Sequence, residues 1–308
     1  MARHAGSDCP LKRCILVTRT NGYENKPLPA VLFFAREANG NVSPAGEISG
    51  SKTMLFLPSG LAMDSRGNVY VTNDNDTITV YAAGALGNVA PIRTISGNEA
   101  KLNNPGGLAV DSHDELYVAN CPNAGKSWIN VFESGANGNA APIRTIEGQH
   151  THLYCPWGLA FDSQSNLNVA NDDPNNGWIT VYAANANGNA SPERTIKGPH
   201  TELTGPAGLA VDASGYIYVV DSELESICIF SPNAHGDEAP VSYFPGPIYG
   251  FGLGLDGHAN IYVTSVGYDD PPSITVYAAG ASGNHARILR MIEGGKTRLL
   301  MPRGIVVR

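Results

Sequence analysis

Three histidines are spaced in a way that could ligate a divalent metal. His150 and His152 are separated by one residue, and His200 takes the place of His150 in the next copy of a repeat described below. A metal site needs three or four ligands that converge within bonding distance. The trio therefore predicts a metal site, unless neighbouring repeats hold these residues too far apart, in which case they are solvated loop side chains.

Two carboxylates and one of these histidines could act in acid–base chemistry. Asp221 ends a predicted strand, and Asp172 lies in a predicted loop between two strands. A carboxylate or an imidazole within reach of a substrate can accept a proton as a general base. Asp221, Asp172 and His152 are therefore the predicted catalytic residues of an enzyme.

Aromatic and polar residues predict a ligand site. Trp128 and Trp178 precede equivalent strands, whereas Trp157 lies at the opening of another strand. Their rings could stack on a ligand or simply cover the ends of sheets. A polar residue also ends the second strand of each predicted unit: Arg19, Asn73, Asn120, Asn171, Asp221 and Ser265. These side chains could surround a central channel together with Arg303, or could bond loop backbone, as buried polar groups generally do.

An internal repeat of roughly 50 residues defines all of these positions. The segment 58–64 returns at 105–111, 156–162 and 206–212, with weaker copies at 250–256 and 302–307. Each copy predicts four short strands rich in β-branched and aromatic residues. An Asp-rich turn follows the first strand, and a Gly-Asn or Gly-Asp turn precedes the fourth. Four antiparallel strands repeated without helices are typical of a propeller blade.

The chain ends complete one another. The segment 12–50 supplies three strands, and 302–308 supplies one. The sequence therefore predicts an all-β, six-bladed β-propeller over residues 12–308, after an N-terminal extension at 1–11. The split blade combines 12–50 with 302–308, and the other blades begin near residues 58, 105, 156, 206 and 250.

The two ends of such a propeller differ. Fourth-to-first and second-to-third connections meet on one face, here called the top face. The Asp-rich and Gly-Asn turns are predicted on the other, here called the bottom face. Because the top connections vary in length and chemistry, the functional site is predicted there.

The repeat resembles a known family. Its pattern Pro-x-Gly-Leu-Ala-x-Asp, Asn-x-Tyr-Val and Ile-x-Val-Tyr is similar to the NHL-repeat β-propellers, and 70–73 also resembles the YVTN-type surface propellers. The resemblance covers about residues 12 to 308. Such propellers include binding modules, extracellular proteins, lactonases and an amidating lyase, so the resemblance implies a fold rather than one activity.

The resemblance also implies two kinds of metal centre. Lactonase-type propellers hold a divalent metal through an acidic residue that Asp221 matches and an Asn that opens a first strand. The opening residues of this chain include no Asn: Ser59, Gly106, Trp157, Ala207, Phe251 and Arg303. Amidating lyases use histidine-bound zinc with a Tyr and an Arg, and His150, His152, His200, Tyr154 and Arg303 are of those types. The sequence leaves the cofactor open, and the resemblance adds a divalent metal, calcium or zinc, as one alternative.

The five cysteines leave at least one thiol free, because their number is odd. Cys9 and Cys14 are close in sequence. Cys121 and Cys155 are predicted on the same face, as a disulfide or as two thiols, and the disulfide is the preferred interpretation.

Composition limits the partners. The net charge is −8 with no basic stripe, which argues against nucleic acid. No apolar stretch approaches the roughly 20 residues of a membrane helix. The first ten residues lack the apolar core of a signal peptide, so the chain is cytosolic or a mature form, and an extracellular or periplasmic mature chain is the expectation.

Three functions follow from the sequence. The first is a monomeric binding protein for a polar small molecule or carbohydrate at the top of the central channel. The second is a hydrolase or lyase acting on a lactone, a glycoside or a related substrate. The third is a protein-interaction module.

Overall fold

The protein forms six four-stranded antiparallel sheets, which confirms the predicted six-bladed propeller. The structure is a computed structural model that describes residues 13–20, 27–122, 126–173, 176–267 and 270–308, except the side chain of His285. The predicted extension 1–11 lies outside the described residues. No α-helix occurs among the described residues, and no described helical turn is long and apolar enough to cross a membrane.

The strands follow the repeat closely. Blade 1 consists of β1 (Cys14–Arg19), β2 (Ala30–Ala35) and β3 (Gly46–Ser49), blade 2 of β4 (Pro58–Met63), β5 (Val69–Asn73), β6 (Thr77–Tyr81) and β7 (Arg93–Ile95), and blade 3 of β8 (Pro105–Val110), β9 (Leu116–Asn120), β10 (Trp128–Phe132) and β11 (Arg144–Glu147). Blade 4 consists of β12 (Pro156–Phe161), β13 (Leu167–Asn171), β14 (Trp178–Tyr182) and β15 (Arg194–Ile196), and blade 5 of β16 (Pro206–Val211), β17 (Ile217–Asp221), β18 (Ser226–Phe230) and β19 (Ser242–Pro245). Blade 6 consists of β20 (Gly250–Leu255), β21 (Ile261–Ser265), β22 (Ser273–Tyr277) and β23 (Ile288–Glu293), and β24 (Pro302–Val307) completes blade 1.

The C-terminal strand closes the ring. β24 pairs antiparallel with β1, so that Val307 lies opposite Ile15 and Ile305 opposite Val17. The backbone amide of Arg308 adds a hydrogen bond to the carbonyl of Cys14 at 2.9 Å. Blade 1 is therefore the predicted split blade. Its first strand, which like the first strand of every blade lies nearest the central axis and is called the inner strand below, is supplied from the other end of the chain.

The apolar core lies between the blades. One buried cluster joins Leu16 and Phe33 of blade 1 to Val71 and Tyr81 of blade 2, and five similar clusters join the other neighbouring pairs. A lone four-stranded sheet would expose these side chains on both faces. Stacking the sheets around an axis removes them from water, which is the main energetic reason for the ring.

Six glycines allow the inner strands to approach one another at the axis. A Cβ added to Gly107 would lie 1.6 Å from the carbonyl oxygen of Trp157 in the next blade. Every blade has an equivalent glycine facing the next blade's backbone oxygen at 1.6 to 2.6 Å from the added atom: Gly60, Gly107, Gly158, Gly208, Gly252 and Gly304. A larger residue there would push two blades apart.

The sequence predicted the Gly-Asn turns at the bottom face, but they do not stay there. Each turn is part of the connection between the third and fourth strands of a blade, and this connection runs along the fourth strand of the preceding blade, where Gly87 forms a parallel bridge with Ile48. Asn88 then reaches the top turn of that blade, where its Oδ1 accepts a hydrogen bond from the amide of Lys52 at 2.7 Å. The turn recurs because it joins neighbouring blades, which the pattern within one repeat could not reveal.

Candidate functional site

The central channel opens at the top face into a small cavity of about 100 Å³. Its wall is formed by the third and fourth residues of each inner strand, together with the second residue in every blade except blade 3. Three of the six second residues are small, namely Ser59, Gly106 and Ala207. The other three are large, namely Trp157, Phe251 and Arg303, and we call the cavity with these three side chains the axial site.

The large side chains of the axial site contact one another. The rings of Trp157 and Phe251 meet edge to face, with centroids 5.5 Å apart and an interplanar angle of 88°. The guanidinium carbon of Arg303 lies 5.0 Å from the centre of the Phe251 ring. All three side chains are half-buried. The site therefore combines two aromatic rings with one cation, an arrangement suited to a planar or polar ring that carries a hydrogen-bond acceptor or a negative charge.

Gly106 makes room for the indole of Trp157. A Cβ on Gly106 would lie 2.9 Å from Cε3 of Trp157. The indole therefore leans over the neighbouring blade 3, where any other residue would contact it. The sequence pattern predicts Trp157 and Arg303 as ligand-binding residues but not Phe251, although Phe251 holds the equivalent opening position of its own blade.

The asparagines that end the second strands turn away from the channel. Asn73, Asn120 and Asn171 are fully buried. Their Oδ1 atoms accept hydrogen bonds of 2.9 to 3.0 Å from the backbone amides of Phe56, Asn103 and Tyr154. Of the two alternatives open at the sequence level, the structure shows bonding to loop backbone, because each side chain holds the connection that leads into its own inner strand.

Arg19 has the same kind of role. Its side chain is 1% exposed, and its Nε and Nη2 donate to the carbonyl of Leu28 at 3.1 and 2.6 Å. Burial lowers the pKa of Arg19, and the nearby Glu47 carboxylate opposes that effect. Ser265, the counterpart in blade 6, donates to the carbonyl of Ile248 at 2.6 Å.

Asp221 is buried beneath the top turn of blade 5. Its carboxylate accepts hydrogen bonds from the amides of Thr204, Gly205, Glu223 and Leu224 at 2.7 to 3.2 Å. Four backbone donors occupy the lone pairs that a general base would offer to a substrate. The geometry makes Asp221 an anchor for two loops.

Asp172 is a carboxylate at the top face whose pKa is strongly raised. It is half-buried directly after β13. Burial is the main cause that raises its pKa from 3.8 to about 6, and the carboxylates of Glu223, Asp221 and Asp173 raise it further. A carboxyl with such a pKa exchanges protons close to neutral pH.

The three histidines lie on two turns, His150 and His152 on the turn that follows β11 and His200 on the turn that follows β15. His152 has a left-handed backbone, and its carbonyl accepts the indole hydrogen bond of Trp178 at 3.0 Å. His200 Nδ1 lies 2.7 Å from Asp237 Oδ2, at an exposed position. The amide of His150 is bonded to Asn189 in the next blade. Among the described residues, no three His, Cys, Asp or Glu side chains are placed to hold a metal ion, so the predicted convergence of His150, His152 and His200 is not found.

Trp128 and Trp178 cover blade ends, one of their two predicted roles. The indole of Trp128 donates to the carbonyl of Lys101 at 3.1 Å. Trp178 is 7% exposed, and the Lys197 ammonium lies 3.6 Å from its ring centre. Trp157 is thus the tryptophan that the structure places at the channel.

A disulfide braces the top face next to the axial site. Cys121, directly after β9, is bonded to Cys155, directly before β12, as the preferred interpretation of the sequence expected. The bridge joins blades 3 and 4 two residues before Trp157. Cys14 is disulfide-bonded too, whereas Cys9 lies outside the described residues. Cys228 is a free, buried thiol.

Comparison with known proteins supports the fold alone. No family model and no curated protein matches the chain. Among solved structures, a protein of unknown function from Bacteroides caccae has a TM-score of 0.65 and 10% identity, covering 96% of this chain and 98% of that one. The WD40 β-propeller domain of Doa1 has a TM-score of 0.57 and 11% identity, with 91% and 87% covered. A catalytically inactive virginiamycin B lyase from Staphylococcus aureus, crystallised with quinupristin, has a TM-score of 0.51 and 12% identity, with 86% and 82% covered.

Proposed function

We propose that this propeller is a binding protein for a polar small molecule or carbohydrate, which it holds at the axial site. The observation that carries the proposal is the meeting of Trp157, Phe251 and Arg303 around a cavity at the channel mouth. Aromatic rings stack on the apolar faces of sugars, and a guanidinium adds charge-assisted hydrogen bonds. Such a pairing favours a sugar or small ring that carries a carboxylate.

The size of the cavity limits the ligand. Its volume of about 100 Å³ is well below the roughly 300 Å³ at which drug-sized sites begin. One ring or one terminal group therefore enters the channel mouth, and the rest of a longer molecule lies across the top face. A terminal uronic acid is a suitable first probe.

Tryptophan fluorescence tests the proposal. Neutral sugars and uronic acids are titrated into the parent protein, Trp157→Phe and Arg303→Gln. A uronic acid is expected to change the parent emission saturably, because its ring contacts Trp157, and the affinity is expected to fall about tenfold or more in Arg303→Gln. Trp128→Phe is the matched control, since it removes an indole from an outer turn and leaves the axial site intact. A parent protein that responds to neither class of sugar contradicts the proposal.

We also propose an extracellular or periplasmic location, a monomeric state and membership of the NHL-repeat group. The bridge between Cys121 and Cys155 and the bonded state of Cys14 support the location, because structural disulfides persist in oxidising compartments. The similarity of the repeat pattern to that of NHL-repeat propellers supports membership of that group. Size-exclusion chromatography with light scattering tests the monomer.

A second proposal is a hydrolase or lyase in which Asp172 transfers a proton. Its pKa of about 6 supports the proposal, because a general acid or base works best near the ambient pH. The sequence also predicts His152 and Asp221 as catalytic residues, although the carboxylate of Asp221 already accepts hydrogen bonds from backbone amides. Turnover of a lactone or glycoside by the parent, lost in Asp172→Asn, favours the enzyme. A metal-free protein without turnover leaves the binding function.

A further inference from the structure

A second cavity, of about 200 Å³, lies on the bottom face between blade 6 and blade 1. Three arginines line it, namely Arg13, Arg36 and Arg290, together with His258. We call it the basal cavity. It is remote in the fold from the axial site, because its residues come from bottom turns and from the lower ends of strands.

Part of its wall is a structural motif that other blades share. In blade 6, Arg290 Nη2 donates to the hydroxyl of Tyr262 at 3.1 Å, and that hydroxyl donates to Asp256 Oδ2 at 3.2 Å. Blade 2 has the same arrangement in Arg93, Tyr70 and Asp64, with distances of 2.7 and 3.2 Å. This set fastens the fourth strand to the bottom turn and does not by itself indicate a ligand.

Arg36 is the departure from the repeat. Strand register aligns it with small or uncharged residues in the other blades: Ala83, Ser134, Ala184, Pro232 and Ala279. Its side chain is 15% exposed and lies 3.5 Å from Asp256 Oδ2. The backbone amide of Arg36 bonds the carbonyl of Arg13 at 2.9 Å, which places a second extra arginine at the same edge.

The carboxylates of the basal cavity are already engaged. Asp256 accepts hydrogen bonds from the amide of His258 and from the amide and side chain of Asn260, at 2.9 to 3.0 Å. Burial alone would raise the pKa of Asp256, but these hydrogen bonds and Arg36 lower it below its usual value, so the group stays ionised. Glu37 lies 3.4 Å from Arg13.

A surplus of positive charge therefore remains. Three guanidinium groups face two carboxylates, in a chain whose net charge is −8. The Nε atom of Arg36 is buried and has no hydrogen-bond partner among the described residues; the Nε of Arg290 shares this state with its counterparts Arg93 and Arg144, so Arg36 is the donor that distinguishes the basal cavity. An unsatisfied buried donor of this kind costs about 1 to 3 kcal/mol, and more when it is charged.

We propose that the basal cavity binds a small oxyanion, namely a phosphate, sulfate or carboxylate group. Guanidinium groups bind such groups through paired, charge-assisted hydrogen bonds, and an anion would balance the surplus charge. The volume of about 200 Å³ accommodates a small anion with some of its water, and is below the roughly 300 Å³ of drug-sized sites. The anion is free in solution or is the end group of a larger molecule.

Isothermal titration calorimetry with inorganic phosphate tests the proposal, at constant ionic strength and in a buffer without oxyanions. The parent is expected to bind one phosphate saturably. Arg36→Gln and Arg13→Gln are each expected to weaken binding about tenfold or more, since each removes one charged donor. Arg13 is 69% exposed, so its variant keeps the fold even if Arg36→Gln destabilises it.

Arg93→Gln is the matched control. It removes an arginine from the equivalent motif of blade 2. The neighbouring blade 3 has Ser134 in the position of Arg36, so phosphate affinity is expected to stay at the parent value. Glycerol phosphate, titrated in parallel, distinguishes the sources of the group: binding of both indicates an end group of a larger molecule, and binding of inorganic phosphate alone indicates a free anion. No saturable binding of either compound, or equal losses in Arg93→Gln and Arg13→Gln, would overturn the proposal.

Discussion

The hydroxyl of Thr72 in blade 2 donates a hydrogen bond to the backbone carbonyl of Gly106 in blade 3, across 2.7 Å. The same hydroxyl accepts a hydrogen bond from the amide of Gly60 at 2.7 Å. Thr18 and Thr264 form equivalent links from blades 1 and 6 to the carbonyls of Ser59 and Arg303. At each of three consecutive blade interfaces, one buried threonine hydroxyl therefore accepts a hydrogen bond from the inner strand of its own blade and donates one to the inner strand of the next blade.

Replacing Thr72 by Val is expected to destabilise the protein by about 2 kcal/mol, because the buried amide of Gly60 and the carbonyl of Gly106 lose their partner while the shape is kept. Valine fits such a place, since Val220 occupies it in blade 5. The measurement is urea unfolding followed by circular dichroism. Thr77→Val is the control, because that hydroxyl bonds only an exposed side chain in the described structure, and it is expected to cost about 0.5 kcal/mol or less. Equal losses in the two variants would refute the hydrogen-bond explanation.

Replacing Gly107 by Ala is expected to cost about 3 kcal/mol or to prevent folding, because the new methyl group has no space beside the backbone of Trp157. The collision is with main-chain atoms, so a rotamer change cannot relieve it. Gly257→Ala provides the comparison, since a Cβ there has nothing within 4 Å. Thermal unfolding of both variants measures the difference, and a Gly107→Ala protein as stable as Gly257→Ala would show that the inner strands can move apart.

The repeat spacing was enough to predict the six blades, the split blade and the top-face position of Trp157. It left two directions open for a polar side chain at a strand end, towards the channel or towards loop backbone. Asn73 and Asn120 turn their amides to loop backbone, because the connection into the inner strand needs an acceptor there.

Relations between blades were equally out of reach. The distance between His150 and His200 depends on how the blades are arranged around the axis, and so does the approach of Arg36 to Asp256. Phe251 meets Trp157 and Arg303 at one cavity because three different blades present these side chains to the axis. A pattern within one repeat fixes each blade and leaves such contacts undetermined.

Asp172 is expected to make stability depend on pH. Its pKa in the folded protein is raised to about 6 from an ordinary 3.8, so between these values the folded state holds a proton that the unfolded chain has released. Stability from this group is therefore complete below about pH 4 and is lost as the pH rises through about 6. Asp172→Asn removes the penalty and is expected to gain about 1 kcal/mol near pH 7, a value reduced for partial exposure, and nothing near pH 4.

Urea unfolding of Asp172→Asn and the parent at the two pH values measures this difference. Glu133→Gln serves as the control, because it neutralises an exposed carboxylate on another blade and is expected to change stability little at either pH. A gain for Asp172→Asn that is the same near pH 4 and near pH 7 would exclude the titration of Asp172 as its cause.

Deletion of residues 302–308 is expected to abolish cooperative unfolding. The segment contains β24, which supplies the inner strand of blade 1 and pairs with β1 from Ile15 to Arg19. Without it, Leu16 and Val17 lose the strand that covers their edge, and the buried clusters on both sides of blade 1 open to water. A synthetic peptide of residues 302–308 added in excess is expected to restore a cooperative transition, since it binds the folded ring and not the unfolded chain. A truncated protein that melts as sharply as the parent, with or without the peptide, would mean that five blades and three strands hold the ring closed by themselves.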